Sequence, residues 1–159
     1  MGKEIERKFL VSFLAEGMGG TTMRQGYLQP EKERAVRVRT VVKHGSKKGF
    51  LTIKGIGSKS GMSRYEFETE IPLPDADHLL YLCFYPLIET TRYNYASEDL
   101  TWEIDEFHGV NDGLVVAEVE LESEDQQFEK PNFIGEEVTG KVKYYNMMLL
   151  KNPYTTWGK

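Results

Sequence analysis

Successive stretches of this chain alternate apolar and polar side chains with a period of two, and the polar partners are long charged groups. A period of two belongs to a β-strand, where neighbouring side chains point to opposite faces. The runs lie at 3–11, 23–29, 34–43, 49–55, 63–72, 88–96, 100–107 and 114–122, bounded by Gly, Pro or Asp/Asn turns. Val36 and Val38 oppose Arg37 and Arg39; Leu51 and Ile53 oppose Thr52 and Lys54; Phe67 opposes Glu66 and Glu68. Trp102 and Ile104 oppose Glu103 and Asp105, and Val119 opposes Glu118 and Glu120. One such run is an ordinary solvated strand. The set is less ordinary, because the signs are segregated: basic at 37, 39 and 54, acidic at 66/68, 103/105 and 118/120. A barrel with its charged faces inward brings these groups together and turns the apolar faces outward, against helices. Charge enclosed without partners is costly, so the pattern predicts bound anions and cations.

The opening Glu4-Ile5-Glu6-Arg7-Lys8 sharpens this. Glu4, Glu6 and Lys8 share one strand face, with neighbours on it roughly 6.6–7 Å apart. Two carboxylates so spaced suit a hard divalent cation, and the lysine beyond them suits the anion that the cation carries.

The rest of the chain sets limits. Its 159 residues fit one domain, 1–159, large enough to bury a core. A net charge of -5 disfavours a nucleic-acid-binding surface. No apolar run approaches the ~20 residues of a membrane span, and the N-terminus has no secretory signal pattern, so a cytoplasmic protein is expected. Cys83, within the apolar run of residues 79–84, reads as a buried thiol, not a nucleophile. His44, His78 and His108 are scattered and form no ligand pair. Helices are expected at 75–85, capped by Asp75 and closed by Pro86, at 12–18 from Ser12, and at 144–151. Residues 55–61 read as a mobile Gly/Ser loop without the spacing of a phosphate loop.

In order along the chain, the opening Glu-x-Glu-x-Lys, Met23-Arg24-Gln25-Gly26-Tyr27-Leu28, Val36-Arg37-Val38-Arg39, Leu51-Thr52-Ile53-Lys54, Tyr65-Glu66-Phe67-Glu68, Thr91-Arg92-Tyr93, Trp102-Glu103-Ile104-Asp105, Ala117-Glu118-Val119-Glu120 and Gly135-Glu136-Glu137-Val138-Thr139 resemble the CYTH superfamily, the triphosphate tunnel metalloenzymes, and among them the small single-domain bacterial inorganic triphosphatases. The resemblance implies a mainly β, α+β fold: a closed antiparallel barrel of about eight strands with a few short helices outside. It implies metal-dependent hydrolysis of a small-molecule triphosphate, inorganic triphosphate being the simplest. An adenylate cyclase or thiamine triphosphatase in the same tunnel, and a non-catalytic polyphosphate- or nucleotide-binding module, are the alternatives.

The resemblance assigns Lys8, Arg37, Arg39, Lys54, Arg92 and Lys143 to the phosphoryl oxygens. It assigns Glu4, Glu6, Glu103, Asp105, Glu118 and Glu120 to Mg²⁺ or Mn²⁺. Lys8, Tyr27, Arg39, Lys54, Glu66 and Glu68 are the candidates for the chemical step. Arg24 is left open between tunnel and surface. Two departures bear on the terminal phosphoryl contacts. Thr90 stands where relatives often carry a base, and Lys141-Val142-Lys143-Tyr144 stands where they often read Asp-Lys-Arg-Tyr. Residues 144–150 pack the core or form a dimer contact, so a monomer or a homodimer is expected.

Overall fold

The computed structural model describes residues 3–14 and 19–158. Along them run β1 (Lys3–Val11), β2 (Gly20–Glu31), β3 (Arg34–Lys43), β4 (Ser46–Gly57), β5 (Ser63–Ile71), α1 (Leu73–Leu82), β6 (Ile88–Ser97), β7 (Leu100–Phe107), β8 (Val115–Glu120), β9 (Ile134–Glu137) and α2 (Asn146–Lys151). The strands form one antiparallel sheet in the order β5-β4-β3-β2-β6-β7-β8-β1-β9, and a β1–β5 pairing closes eight of them into a ring. β1 is the seam. Residues 3–5 pair with 63–65 of β5, while residues 6–10 pair with 116–120 of β8 along the other edge.

All eight expected strands are present, with ends shifted by a few residues. The ninth, β9, was not expected. It has four residues, two of them adjacent glutamates, and no alternation to reveal it. It forms because β1 beyond its β5 pairing has an open edge, on which Phe9 meets Glu137 and Val11 meets Ile134. On the outer surface Arg7 binds Glu137 through two N–H···O bonds of 2.8 and 2.6 Å, fixing β9 from its side chain as well.

The outer apolar faces are covered in two places. α1 lies over Val38, Leu28 and Leu51, burying Ala76 and Leu80. It comes close because position 49 is glycine: a Cβ there would stand 2.4 Å from that of Ala76. α1 begins at Leu73, two residues earlier than expected, so Asp75 sits in its first turn and not at the cap. Proline tolerates this because the first helical N–H groups have no intrahelical acceptor. Cys83 ends the helix, and burial pushes its thiol up to about 11, which keeps it an inert protonated group near neutral pH. On the opposite side Phe9, Trp102, Ile104 and Val119 are covered by the connection after β8, through Leu121, Phe128 and Phe133. In the expected helix at 12–18, residues 12–14 are not helical and the rest lies outside the described residues.

The inner faces change character along the strands. β1 runs Glu4, Glu6, Lys8 and then Leu10; β7 runs Glu103, Asp105 and then Phe107; β8 runs Val116 and then Glu118, Glu120. The apolar ends all fall at one end of the ring. There Tyr27, Ala35, Ile88, Phe107 and Val116 pack with Met147, Leu149 and Leu150 of α2. Residues 144–151 therefore do have a packing role, but on the inner faces of the strands, as a floor. Only α1 packs outside as expected. Leu149→Ala is expected to cost about 2–5 kcal/mol of stability by deleting a fully buried side chain from this floor. Urea unfolding measures it, and an unchanged midpoint would show that α2 does not seal the ring.

Candidate active site

Strand parity turns the charged series inward, and the side chains meet as ion pairs. Lys54 Nζ lies 3.1 Å from Glu4 and 3.6 Å from Glu66. Arg37 and Arg39 approach Glu68 at 3.5 and 3.2 Å, and Thr52 Oγ1 accepts from Arg37 at 3.2 Å while donating to Glu68 at 2.8 Å. Arg92 holds Asp105 through two bonds of 2.8 and 2.9 Å and reaches Glu103 at 3.3 Å. Lys8 Nζ donates to the Tyr144 carbonyl at 3.1 Å and lies 3.6 Å from Glu118. Four of these contacts are direct cross-strand neighbours: Lys54 with Glu66, Arg92 with Asp105, Thr52 with Glu68 and Lys8 with Glu118.

A cavity of about 550 Å³ opens among these groups above the α2 floor. Glu4, Glu6, Lys8, Tyr27, Arg37, Lys54, Arg92 and Glu118 line it. Glu66, Glu68, Glu103 and Asp105, the acidic partners of its bases, and Arg39, which pairs with Glu68, do not line it. Glu120 faces Glu6 in register but is exposed and lines no part of the cavity. Lys143 is not brought to the site: its ammonium lies over the rings of Trp157, at 4.6 Å, and Tyr144, at 5.4 Å. Arg24 points to the outer surface, 3.5 Å from Glu89. None of the three histidines lines the cavity, and His108 bonds Thr91 at 2.7 Å.

The electrostatics show what the cavity wants. Burial and then Glu118 push Glu6 well above the usual carboxylate range, against the pull of Lys54. Burial acts the same way on Glu118, but Lys8 and a hydrogen bond from Glu6 outweigh it and hold that carboxyl below the usual range. The two carboxyls therefore crowd each other, with Glu6 shifted upward and Glu118 downward. Glu66 is raised by burial and then by its neighbour Glu4. Burial opposes the charge on Lys54, yet Glu6 and Glu4 raise it overall. Burial, then Arg37 and Arg92, lowers Arg39 to about 10. A further sign points to an anion. The Nε atoms of Arg37 and Arg39 are buried with no hydrogen-bond partner, a cost of about 1–3 kcal/mol for each buried donor. Both are guanidinium donors on the inner face.

Cation donors are equally clear in kind. The lining offers carboxylate oxygens and neither thiolate nor imidazole, the set for a hard divalent ion. Among the described residues no three carboxylates already converge as a chelate. They come in like-charged pairs, Glu6 with Glu118 and Glu4 with Glu66, and a cation relieves that crowding.

A family model, the CYTH domain, matches residues 2–147. The chain belongs to the CYTH family. It is 49% identical over 160 residues to an inorganic triphosphatase of Acetivibrio thermocellus, with 97% of each chain covered. A second inorganic triphosphatase, from Nitrosomonas europaea, is 37% identical over 150 residues, covering 92% of this chain and 95% of the other. A crystal structure of an inorganic triphosphatase superposes with a TM-score of 0.63 at 35% identity, covering 92% of this chain and 97% of that one. A Pyrococcus furiosus protein with a TM-score of 0.57, 24% identity and coverage of 77% and 80% shares the fold. The CYTH ring of strands is thus common ground, and the cavity above lies within the matched span.

Several cavity residues had escaped the sequence reading. Arg64 lies two residues before Glu66 on the same face, so parity alone would have found it. Thr139 lines the cavity and accepts the Lys8 N–H at 2.9 Å, while Lys32 and Lys59 reach it from a turn and a loop. No periodicity marks the last three. The raised Glu6 carboxyl gives a test in metal-free protein. Glu6 is raised, so its contribution to stability is greatest below the unfolded value near 4.5 and is lost as pH rises through the folded value. Glu6→Gln, which mimics the protonated form, should therefore gain stability over the native protein at pH 8 and lose that advantage at pH 4. Urea unfolding in EDTA at both pH values reads the difference.

Proposed function

We propose that this protein hydrolyses inorganic triphosphate to pyrophosphate and phosphate, with Mg²⁺ or Mn²⁺ as cofactor. The observation that carries the reading is the cavity of about 550 Å³ whose lining brings Lys8, Arg37, Lys54 and Arg92 together with Glu4, Glu6 and Glu118. The two curated relatives, both inorganic triphosphatases, support it.

The basic residues would offer the phosphoryl oxygens those donors that their carboxylate partners leave unused. Arg37 and Arg92 suit paired oxygens because a guanidinium donates two parallel bonds. Arg39 lies two residues further along β3 on the same face and backs Arg37 with a second positive charge. Lys8 and Lys54 supply point charges, and Tyr27 a hydroxyl, towards the chain of phosphoryl groups. Glu4, Glu6 and Glu118 would hold the metal, with Glu120, Glu103 and Asp105 in support. When bound, the cation neutralises phosphoryl oxygens and polarises the phosphorus for attack. Glu66 and Glu68 hold Lys54, Arg37 and Arg39 in position, and a carboxylate of the acidic wall orients the attacking water. In the step, a water oxygen bonds to a terminal phosphorus and the bridging P–O bond breaks towards pyrophosphate. The water proton passes to the carboxylate and then to solvent.

A small-molecule substrate fits the enclosed cavity. With a net charge of -5 and, among the described residues, no helix long and apolar enough to cross a membrane, we infer a cytoplasmic enzyme that binds neither nucleic acid nor membrane, as a monomer or homodimer. Phosphate release from inorganic triphosphate, ATP and thiamine triphosphate, with Mg²⁺, Mn²⁺ or EDTA, is the test. Turnover should be greatest with inorganic triphosphate and disappear in EDTA. Arg37→Ala should lower kcat/KM by about 100-fold or more, on the order of 3 kcal/mol of transition-state stabilisation. Release without metal, or from no triphosphate, would sink the reading.

A further inference from the structure

Residues 56–62, the end of β4 and the loop into β5, line the cavity, and none of the roles above uses them. The loop is held from outside. Glu124, on the connection after β8, does not touch the cavity but accepts hydroxyl bonds from three serines. Ser60 donates to Oε1 at 2.9 Å, Ser58 donates to Oε2 at 3.4 Å, and Ser63 donates to the same Oε2. The serines in turn organise the loop: Ser58 and Ser60 hydroxyls lie 2.9 Å apart, Met62 N–H donates to Ser60 Oγ, and Ser63 N–H donates to Ser58 Oγ. Two more contacts seat it. Gly61, at φ +78°, packs on Gly140 so closely that a Cβ would lie 2.6 Å from the Gly140 Cα. The Met62 carbonyl accepts the N–H of Glu6 at 2.9 Å, tying the loop to the acidic strand. At the loop's apex Lys59 lines the cavity. Among the described residues Lys59, like Lys32 and Arg64 in the same lining, has no carboxylate partner, whereas Lys8, Arg37, Lys54 and Arg92 each have one.

We propose that Glu124 is a positioning residue: its serine clasp holds the 57–62 loop across the cavity so that Lys59 contacts the outermost phosphoryl group of the bound triphosphate. The inference rests on the triphosphate reading. Lys59 is exposed and its ammonium solvated, so an anion entering the cavity would meet a charge for which no carboxylate competes. A loop of glycine and serine does not hold one conformation unaided, because its ordering costs about 1–2 kcal/mol per residue in backbone entropy. Glu124 supplies the fixed point, since one carboxylate accepts from all three hydroxyls.

The experiment compares native protein with Glu124→Ala, Lys59→Ala and the double variant. With triphosphate and Mg²⁺, each single variant is expected to raise KM by about tenfold while kcat changes less than about threefold. The double variant should match Lys59→Ala alone, because residues acting through one contact are not additive. Amide hydrogen exchange across 57–63 should quicken in Glu124→Ala and stay unchanged in Lys59→Ala. Additive losses, an unchanged KM, or equal falls in kcat and melting temperature would each overturn the proposal. Calorimetric binding of inorganic triphosphate in EDTA separates the two claims. If the native protein shows no hydrolysis, the triphosphatase reading fails. The clasp is then upheld if triphosphate binds more weakly to both single variants than to native protein, and overturned if it does not.

Discussion

Opposite charges facing one another inside a closed ring are the constraint on which the structure depends. An unpaired charge moved out of water costs several kcal/mol, so ring closure depends on the acids that the buried inner bases meet. Lys54 meets Glu4 and Glu66, Arg92 meets Asp105 and Glu103, Arg37 meets Glu68 and Lys8 meets Glu118. The pairing is incomplete by design of the register. Acids outnumber bases on β1, β5, β7 and β8, so burial and the neighbouring Glu118 push the Glu6 carboxyl above the usual carboxylate range. At the same time Arg37 and Arg39 keep unused donors. The same interior is therefore short of cation at one place and short of anion at another.

This imbalance links fold to function. Salt bridges that merely stabilise a core would be fully matched, and apolar residues of equal volume would serve as well. Here the mismatch is distributed so that an anion and a cation together would complete it. The apolar floor matters too. With Ile88, Phe107 and Val116 closed by α2, the charged part of the lumen becomes a bounded cavity with low-dielectric walls, where each charge acts more strongly than in water.

Much of this was legible in the residues. Alternation identified eight strands and parity placed Glu4, Glu6, Lys8, Arg37, Lys54 and Glu118 on their charged faces, while Arg92 and the closed ring that joins these faces came from the resemblance to the CYTH family. Alternation also contained the floor, since Leu10, Phe107 and Val116 continue the inner series of β1, β7 and β8. Their apolar character was visible, but without register nothing showed that these ends coincide. β9 was hidden because its stability comes from the open edge of β1 and from Arg7, not from its own four residues. Lys143 looked like a phosphate ligand by sequence neighbourhood, yet the rings of Trp157 and Tyr144 offered its ammonium a different partner.

The sequence by itself determined which residues lie on which strand face, because a period of two is a local property of extended backbone. It thereby determined that the inner surface is charged and oxygen- and guanidinium-rich, and so the kind of ligand it suits. Tertiary structure decided how the faces come together. Ring closure through β1 and β5 set which acid meets which base, and so which carboxyls crowd in pairs. The placement of α2 and the 57–62 loop set where the lumen ends. These are decisions between residues far apart in the chain, made by register and packing, and no local pattern encodes them.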